Sequence, residues 1–505
     1  MPDEQDPDSL GEIQKTSQES GLVEEWLPTQ IKKEPESASP PGGQDKPLES
    51  ILAPLTKEEV ISPSSFPKKG FPKVPKTAIF AAIAVIFLGI LGFIAVKLKS
   101  SDKSLVGKKG EIVWWGIEEE AASVAPLIEE YQEANPKIKI SYMKQSTQDY
   151  RERLTNAIAS GKGPDIFEIH NSWVPMFKND LEVMPDSVMS SSDFARTFYP
   201  VITSDLTTQG GVVGMPLFFD AITLYINEDI LTSAAKAPPK TWDELRDLAV
   251  ALTQKDERGV ILQSGVSLGR TENVDHWPEI LGLMLLQNQA NPAKPTGKLA
   301  EDAFSFFLYF YRTDAVWDEK LPPSTIAFAQ GKTAMYLGPV RRASEIAKAN
   351  PALKFKTVPV PQLPKEKPAE PDITYATYWV QGVWGRSINK DAAWEFLKFM
   401  STKESLEKLN EEVKKTNLFE RPSSRVDMSL AQSEDKIVAS VIALALNAKS
   451  WYLAAPTYDG PTGINSQLNS VFARALEPKV DVKKILPDVA VEVARVLSQY
   501  GIAVK

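Results

Sequence analysis

The sequence of 505 residues contains no cysteine, which excludes disulfide bonds, thiolate nucleophiles and cysteine-ligated metals. Histidine is almost absent, since His170 and His276 are the only imidazoles, and a metal site is therefore not expected. Positive charge is also scarce: 57 basic residues face 66 acidic ones, and the net charge of −9 argues against nucleic acid as a partner. Neither the HExxH pattern of zinc hydrolases nor a Walker A phosphate-binding loop occurs.

A polar tail and one long apolar run form the N-terminal part of the chain. Residues 1–76 hold twelve of the 38 prolines together with clustered acidic residues, a composition that favours disorder. Thr77–Val96 carries no charge and is long enough to span a bilayer as one helix. Because the long tail precedes it and no A-x-A cleavage pattern follows it, we predict an uncleaved membrane anchor rather than a signal peptide. A buried core helix is the alternative. Residues 97–110 are expected to form a linker.

From residue 111 the sequence alternates between strand and helix patterns, which is typical of an α/β fold. Short apolar runs predict strands at Ile112–Trp115, Ile138–Tyr142, Asp165–Ile169 and Ala221–Asn227. Helical periodicity predicts helices around Leu127–Tyr131, with Pro126 in the first turn, at Arg151–Ser160 and at Ala392–Met400. Capping boxes are predicted at Thr241–Glu244 and at Ser401–Glu404. The C-terminal third is predicted to be mostly helical.

Six blocks of this body, in order, resemble the motifs of one protein family. Block 111–140 ends in N-P-x-I-x-I, and block 150–169 has a glycine turn and a Pro-Asp pair before a strand. Block 212–231 contains L-Y-x-N-x-D-x-L, block 238–252 contains P-K-T-W-D-E-L, block 327–339 contains F-x-x-G-x-x-A-M, and block 392–405 covers a helix pair. Together they resemble the extracellular solute-binding proteins of bacterial ABC importers, in particular the sugar-binding family that includes maltose-binding protein.

The resemblance implies a two-lobed α/β fold of the type II periplasmic-binding-protein kind, with a hinge that the chain crosses more than once. Lobe 1 would take about 111–220 and 378–419, and lobe 2 about 221–377 and 420–505. It further implies a monomer without cofactor that binds a carbohydrate between its lobes and hands it to ABC permease subunits. Lysines flank both sides of Thr77–Val96 and do not orient it. The body is expected outside the cell, where capture takes place, and the tail in the cytoplasm.

A sugar site needs flat aromatic rings for the sugar faces and carboxylates, amides or guanidinium groups for the hydroxyl edges. Aromatic and polar residues at strand ends, in loops and at the lobe crossing fit that requirement, although tryptophan is also a common core residue. The family often places an aromatic residue after Leu337-Gly338-Pro339, but this chain has Val340 and two arginines there. The candidate ligand-binding residues are Trp115, Glu118, Asn171, Trp173, Asp220, Trp277, Arg341, Tyr378, Trp379, Trp384, Trp451 and Tyr452.

Two other functions remain open at this point. A receptor of the same fold could signal through its long tail to a cytoplasmic partner. A surface glycoside hydrolase would need two convergent carboxylates, and the chain has acidic residues enough to supply them. Asp220 likewise has two interpretations, as an acceptor for sugar hydroxyl groups or as a structural residue of the hinge. We predict binding without catalysis.

Overall fold

A computed structural model describes residues 110–365, 367 and 369–504. The predicted tail, membrane anchor Thr77–Val96 and most of the linker lie outside these described residues. Within the described part of the chain, no helix combines the length and the apolar character needed to cross a membrane.

Eleven strands and sixteen α-helices alternate along the described residues. The strands are β1 (Gly110–Gly116), β2 (Ile138–Lys144), β3 (Ile166–His170), β4 (Thr207–Thr208), β5 (Gly211–Val212), β6 (Ile222–Asn227), β7 (Gln254–Lys255), β8 (Ile261–Val266), β9 (Thr333–Pro339), β10 (Phe355–Val358) and β11 (Trp379–Val383). The helices are α1 (Ala121–Ala134), α2 (Tyr150–Ala159), α3 (Val174–Phe177), α4 (Ser191–Thr197), α5 (Pro200–Leu206), α6 (Glu228–Ser233), α7 (Trp242–Leu252), α8 (Trp277–Gln287), α9 (Lys298–Arg312), α10 (Ser324–Ala329), α11 (Arg342–Ala349), α12 (Lys390–Met400), α13 (Lys403–Asn417), α14 (Ala439–Ile442), α15 (Ile464–Ala475) and α16 (Val482–Gln499).

Two sheets organise the body. The first has four strands in the order β11-β3-β1-β2, in which β1 is parallel to both neighbours and β11 runs antiparallel to β3. The second has five strands in the order β10-β6-β9-β8-β7, with β8 parallel to β9 and the remaining pairs antiparallel. Each sheet has helices from the chain segments that connect its strands, and the result is one lobe around each sheet.

Three chain segments cross side by side between the sheets. The Ile222 amide donates to the Tyr375 carbonyl at 2.9 Å, and the Thr377 amide donates to the Asp220 carbonyl at 2.9 Å. The Ala376 amide in turn donates to the Lys449 carbonyl at 2.7 Å. The lobes are therefore joined by a hydrogen-bonded ribbon rather than by a single strand.

Each lobe has a hydrophobic core of its own. The core of the first lobe contains Trp114, Phe167 and Trp394 and continues onto Tyr225 and Tyr336 of the second sheet. The core of the second lobe is built around α8 and α9 and includes the inner faces of α15 and α16. Trp242 of α7 and Trp394 of α12 are both buried in these cores.

Local features test the predicted helix boundaries. The capping box at Thr241 is confirmed, since its hydroxyl accepts from the Glu244 amide at 3.2 Å and the Glu244 carboxylate accepts from the Thr241 amide. The second predicted box is wrong, because Thr402 rather than Ser401 caps α13 and accepts from Ser405. Pro126 lies inside α1 and not in its first turn, because the helix already begins at Ala121.

Candidate functional site

A groove of about 280 Å³ lies between the lobes. The first lobe contributes residues that follow β1 and β2, and the second lobe contributes the residues that follow β9. Parallel strands of an α/β sheet present their carboxyl ends at one edge, and ligands bind there. The groove is lined by Ile117, Glu118, Thr147, Val340, Arg341, Arg342, Ser344, Glu345, Lys348, Trp379, Asn417, Phe419, Glu420, Arg421, Pro456 and Tyr458.

A buried carboxylate fixes the turn that carries Glu118. Glu168 lies in the centre of β3, and its Oε2 accepts hydrogen bonds from the Ile117 amide and, at 3.0 Å, from the Glu118 amide. Burial, supported by the nearby Glu118 charge, raises the pKa of Glu168 to about 7. These hydrogen bonds fix the turn after β1 against the neighbouring strand β3.

Arg421 holds two glutamates at the groove wall. Its guanidinium group pairs with Glu118 at 3.1 Å and with Glu119, and it lies 4.6 Å from the centre of the Phe218 ring. Burial raises the pKa of Glu119, and the positive charge of Arg421 opposes that effect. The Glu118 carboxylate therefore stands at the groove with a fixed orientation.

Asp220 ties the lobe crossing to the end of β9. Its Oδ1 accepts from the amides of Ala221 and Val340, each at 2.8 Å, and its Oδ2 accepts from the Arg341 amide at 3.1 Å. The Arg341 guanidinium group lies 3.6 Å from the same Oδ2. Burial raises the pKa of Asp220, and Arg341 counteracts the shift. These contacts bind Asp220 to the hinge and to the segment after β9, and its side chain is only 2% exposed.

The two arginines after β9 are held differently. Arg341 lies against Asp220 and donates to the Thr377 carbonyl at 3.4 Å. Arg342 donates through Nη1 to Glu345 at 2.6 Å and through Nε to His276 Nε2 at 2.9 Å. Both side chains line the groove, so it offers fixed hydrogen-bond donors from the second lobe.

A second cavity of about 770 Å³, the rear cavity, is lined by Asn171, Asp205, Ser450, Trp451 and Tyr452 among others. Asp205 accepts hydrogen bonds from Ser450, from Tyr378 Oη at 2.8 Å and from Asn171 Nδ2 at 2.9 Å. Burial raises the pKa of Asp205 to about 6, and these three donors oppose the shift. Asp205 thus joins the first lobe to two of the crossing segments.

The predicted site residues divide between these places. Glu118, Arg341 and Trp379 line the groove, whereas Asn171, Trp451 and Tyr452 line the rear cavity, and Tyr378 reaches it through Asp205. Trp115 is partly buried and packs against the first core. Trp173 is fully buried and donates to Asn465 Oδ1 at 3.1 Å, and Trp277 opens the buried helix α8.

Trp384, a predicted ligand-binding residue, lines neither the groove nor the rear cavity. Because β11 runs antiparallel to β3, the end of β11 lies at the amino end of β3, where Val383 pairs with Ile166. The Trp384 amide accordingly donates to the Asp165 carbonyl at 3.0 Å. Sequence alone shows that Trp384 follows a strand but not which way that strand runs.

Several residues of the site were not predicted. Glu168 had a signal, since it is a charged residue in the otherwise apolar strand IFEIH, but Asp205 and Arg421 stand in unremarkable sequence. The segment Gly265–Gly269 also matches the G-x-S-x-G pattern of serine hydrolases. Ser267 is nevertheless fully buried, and its hydroxyl has no hydrogen-bond partner among the described residues.

Within that part of the chain, no group of three or more acidic or histidine side chains is arranged to hold a metal ion.

Comparison with known sequences identifies relatives across the body. The model of the bacterial extracellular solute-binding protein family matches residues 115–407. The maltotriose-binding protein of Pyrococcus abyssi is 20% identical over 312 residues, which cover 58% of this chain and 62% of that protein. The diacetylchitobiose binding protein of Streptomyces coelicolor is 23% identical over 287 residues, covering 53% and 63%. The alignments therefore span less than two thirds of either relative.

Solved structures share the fold over most of the chain. The sugar-binding protein MalE from Xanthomonas citri aligns with a TM-score of 0.61 at 18% identity, covering 77% of this chain and 98% of that one. A cyclic α-maltosyl-1,6-maltose binding protein from Arthrobacter globiformis aligns with a TM-score of 0.62 at 17% identity, covering 78% and 100%. These likenesses confirm the predicted two-lobed mixed α/β fold.

Proposed function

The chain belongs to the bacterial extracellular solute-binding protein family, and on that premise we propose that it captures a carbohydrate or oligosaccharide between its lobes for an ABC permease. The groove between the lobes is the observation that carries the proposal. It combines the aromatic side chains Trp379 and Tyr458 with the carboxylate of Glu118 and the guanidinium groups of Arg341 and Arg342. Aromatic rings pack on the C–H faces of sugars, while charged groups bind the hydroxyl edges.

The size of the groove favours a short ligand. Its volume of about 280 Å³ lies near the lower limit for small-molecule sites. We propose that Glu118 accepts from sugar hydroxyl groups while Arg341 and Arg342 donate to sugar oxygens. Asp220 would act through Arg341, because its carboxylate accepts from the Arg341 amide and forms an ion pair with the Arg341 guanidinium group. Trp115, next to the end of β1, is the other lobe 1 aromatic that we assign to this site.

Asn171, Tyr378, Trp451 and Tyr452 enter the proposal in a different role. Asn171, Trp451 and Tyr452 line the rear cavity, and Tyr378 donates to Asp205 there, so we propose that these four residues contact parts of the ligand that extend beyond the groove. Relatives in this family are named for binding and not for catalysis, and we propose that this chain also returns its ligand intact.

The remaining parts of the proposal concern the cell. We propose that Thr77–Val96 anchors the protein in the membrane, with the body outside and residues 1–76 in the cytoplasm. The described body would act as a monomer that presents its ligand to permease subunits. The family description as extracellular supports this orientation.

Calorimetric titration of the full-length protein in detergent would test ligand capture. The titrants are maltotriose, mannotriose and diacetylchitobiose, with a nucleotide as a negative control, and the recovered sugar is analysed for cleavage. We expect one-to-one binding of at least one sugar and complete recovery of that sugar uncleaved. Absence of binding to every saccharide by folded protein would refute the proposed ligand class, and cleavage would favour a hydrolase.

A further inference from the structure

Helix α8 contains one acidic residue in an otherwise apolar and fully covered stretch. All nine residues from Trp277 to Leu285 are buried, and Glu279 is the only ionisable residue among them. Burial raises the pKa of Glu279 to about 8. Burying a carboxyl group in such surroundings costs free energy that an apolar side chain would not, so its presence calls for a specific function.

Contacts of Glu279 extend in two directions, and both lead to the groove. In one direction, Glu279 Oε1 lies 3.3 Å from His276 Nδ1, and His276 Nε2 accepts from Arg342 Nε at 2.9 Å. In the other, the same Oε1 accepts from the Ala455 amide at 2.8 Å. Ala455 precedes Pro456 and Tyr458, which line the groove together with Arg342. His276 and Glu279 have no exposed side-chain surface.

The hydrogen bond from Arg342 determines which ring nitrogen of His276 carries the proton. A guanidinium group only donates hydrogen bonds, so His276 Nε2 must present its lone pair to Arg342. The proton of the neutral imidazole is then on Nδ1, directed at Glu279 Oε1. Burial and the charges of Arg342 and Arg341 keep the pKa of His276 well below its usual range, in agreement with a neutral ring.

We propose that His276 and Glu279 are positioning residues that hold Arg342 and the segment 455–458 in a fixed spatial relation at the groove. The pair touches no groove surface itself and acts through the groups that do. This inference rests on the proposed function, since it assigns Arg342 and Tyr458 to the same ligand. Stabilisation of α8 alone does not require a hydrogen bond to an arginine that lines the groove.

The first test needs no ligand. Full-length protein with ¹⁵N-labelled histidine gives signals from two imidazoles, which the His276→Phe variant assigns. We expect His276 to carry its proton on Nδ1 and a lone pair on Nε2, and we expect Arg342→Met to change that nitrogen pattern. Lys298→Met, an exposed change on α9, is the control and should leave it unaltered. A proton on Nε2 in the native protein, or no response to Arg342→Met, would overturn the inference.

The second test is a double-mutant cycle read by titration with the tightest-binding sugar of maltotriose, mannotriose and diacetylchitobiose. His276→Phe should weaken binding about tenfold, but it should add almost nothing in a protein that already carries Arg342→Met, because coupled residues are not additive. Glu279→Gln keeps the acceptor oxygen and should bind within about twofold of the native protein, whereas Glu279→Leu should lose about tenfold.

Additive effects in the cycle would show that His276 acts independently of Arg342 and would refute the positioning role. If none of the three sugars binds the native protein, the proposed function fails, while the histidine nitrogen pattern still decides whether the contact between Arg342, His276 and Glu279 exists as described. The two failures are therefore distinguishable.

Discussion

Tyr378 and Trp379 are consecutive residues whose side chains contact different cavities, Trp379 directly and Tyr378 through Asp205. The Tyr378 hydroxyl donates to Asp205 Oδ2 at 2.8 Å in the rear cavity, while Trp379 lines the groove between the lobes. Side chains alternate along an extended segment, so one strand supplies both surfaces. The position of this segment therefore bears on both the groove and the residues around Asp205.

Exchange of Asp220 for asparagine should weaken ligand binding while the protein remains folded. Asparagine keeps the oxygen that accepts from Ala221 and Val340 but replaces Oδ2, the acceptor for Arg341, with an amide group. We expect titration to show about tenfold weaker sugar binding. Asp229→Asn is the control, since Asp229 forms an exposed ion pair with Lys354 outside the groove. Unchanged affinity in Asp220→Asn would contradict a role for this contact in the site.

Loss of the Tyr458 ring should weaken binding more than loss of an equally exposed tyrosine elsewhere. Tyr458 is 42% exposed and lines the groove, and Tyr309 is 40% exposed on α9. We expect Tyr458→Ala to reduce affinity about fivefold to tenfold, and Tyr309→Ala to leave it within about twofold. Equal losses in calorimetry would show that the groove is not where the sugar packs.

Glu168 should make stability depend on pH. Its pKa is raised from 4.5 to about 7 in the folded protein, so between these two pH values the native state holds a proton that the unfolded state has released. Its contribution is therefore fully present below the unfolded pKa and is lost as pH rises through about 7. Replacing it with glutamine, which keeps an acceptor for the Ile117 and Glu118 amides, should raise the free energy of unfolding at pH 8 by up to roughly 3 kcal/mol relative to the native protein.

Urea unfolding at pH 5 and pH 8 measures this effect, and the difference between Glu168→Gln and the native protein should be much smaller at the lower pH. Glu130→Gln provides the comparison, because Glu130 forms an exposed ion pair with Lys408. A difference that does not depend on pH would mean that Glu168 is ionised in both states.

The capping box of α7 offers a local test of stability. Thr241→Ala removes the hydroxyl that accepts from the Glu244 amide and should cost about 1 kcal/mol of unfolding free energy. Thr241→Ser keeps that acceptor and should be close to neutral. Thermal unfolding separates the two variants, and an alanine variant as stable as the serine variant would contradict the importance of the cap.

The sequence predicts elements better than it predicts the directions of side chains. Strands β1, β2, β3 and β6 follow from short apolar runs, and the family motifs give the two lobes. The motifs do not show that Trp379 lies beside the carboxyl end of β3 and Trp384 beside its amino end. That arrangement depends on β11 running antiparallel to β3. Trp114 meets its hydrogen-bond partner Gln381 across 267 positions of sequence. Contacts between residues so far apart in sequence leave no local sequence pattern from which they could be predicted.

The candidate site shows the same limit. Glu118, Arg341 and Trp379 were predicted and do share the groove. The residues that hold Glu118, namely Glu168 and Arg421, come from a strand interior and a loop far along the chain, and their roles exist only through tertiary contacts. Composition and periodicity predict where polar residues occur, whereas the cost of burying each charge decides which of them must pair.

The three-segment ribbon between the lobes has a mechanical consequence. A single connecting strand could twist as well as bend, whereas three segments that are hydrogen-bonded side by side should resist twisting more than bending. The lobes would then approach each other along essentially one path. On the proposed function, the torsional stiffness of this ribbon would contribute to affinity separately, through residues such as Ala376 and Lys449 that line neither the groove nor the rear cavity.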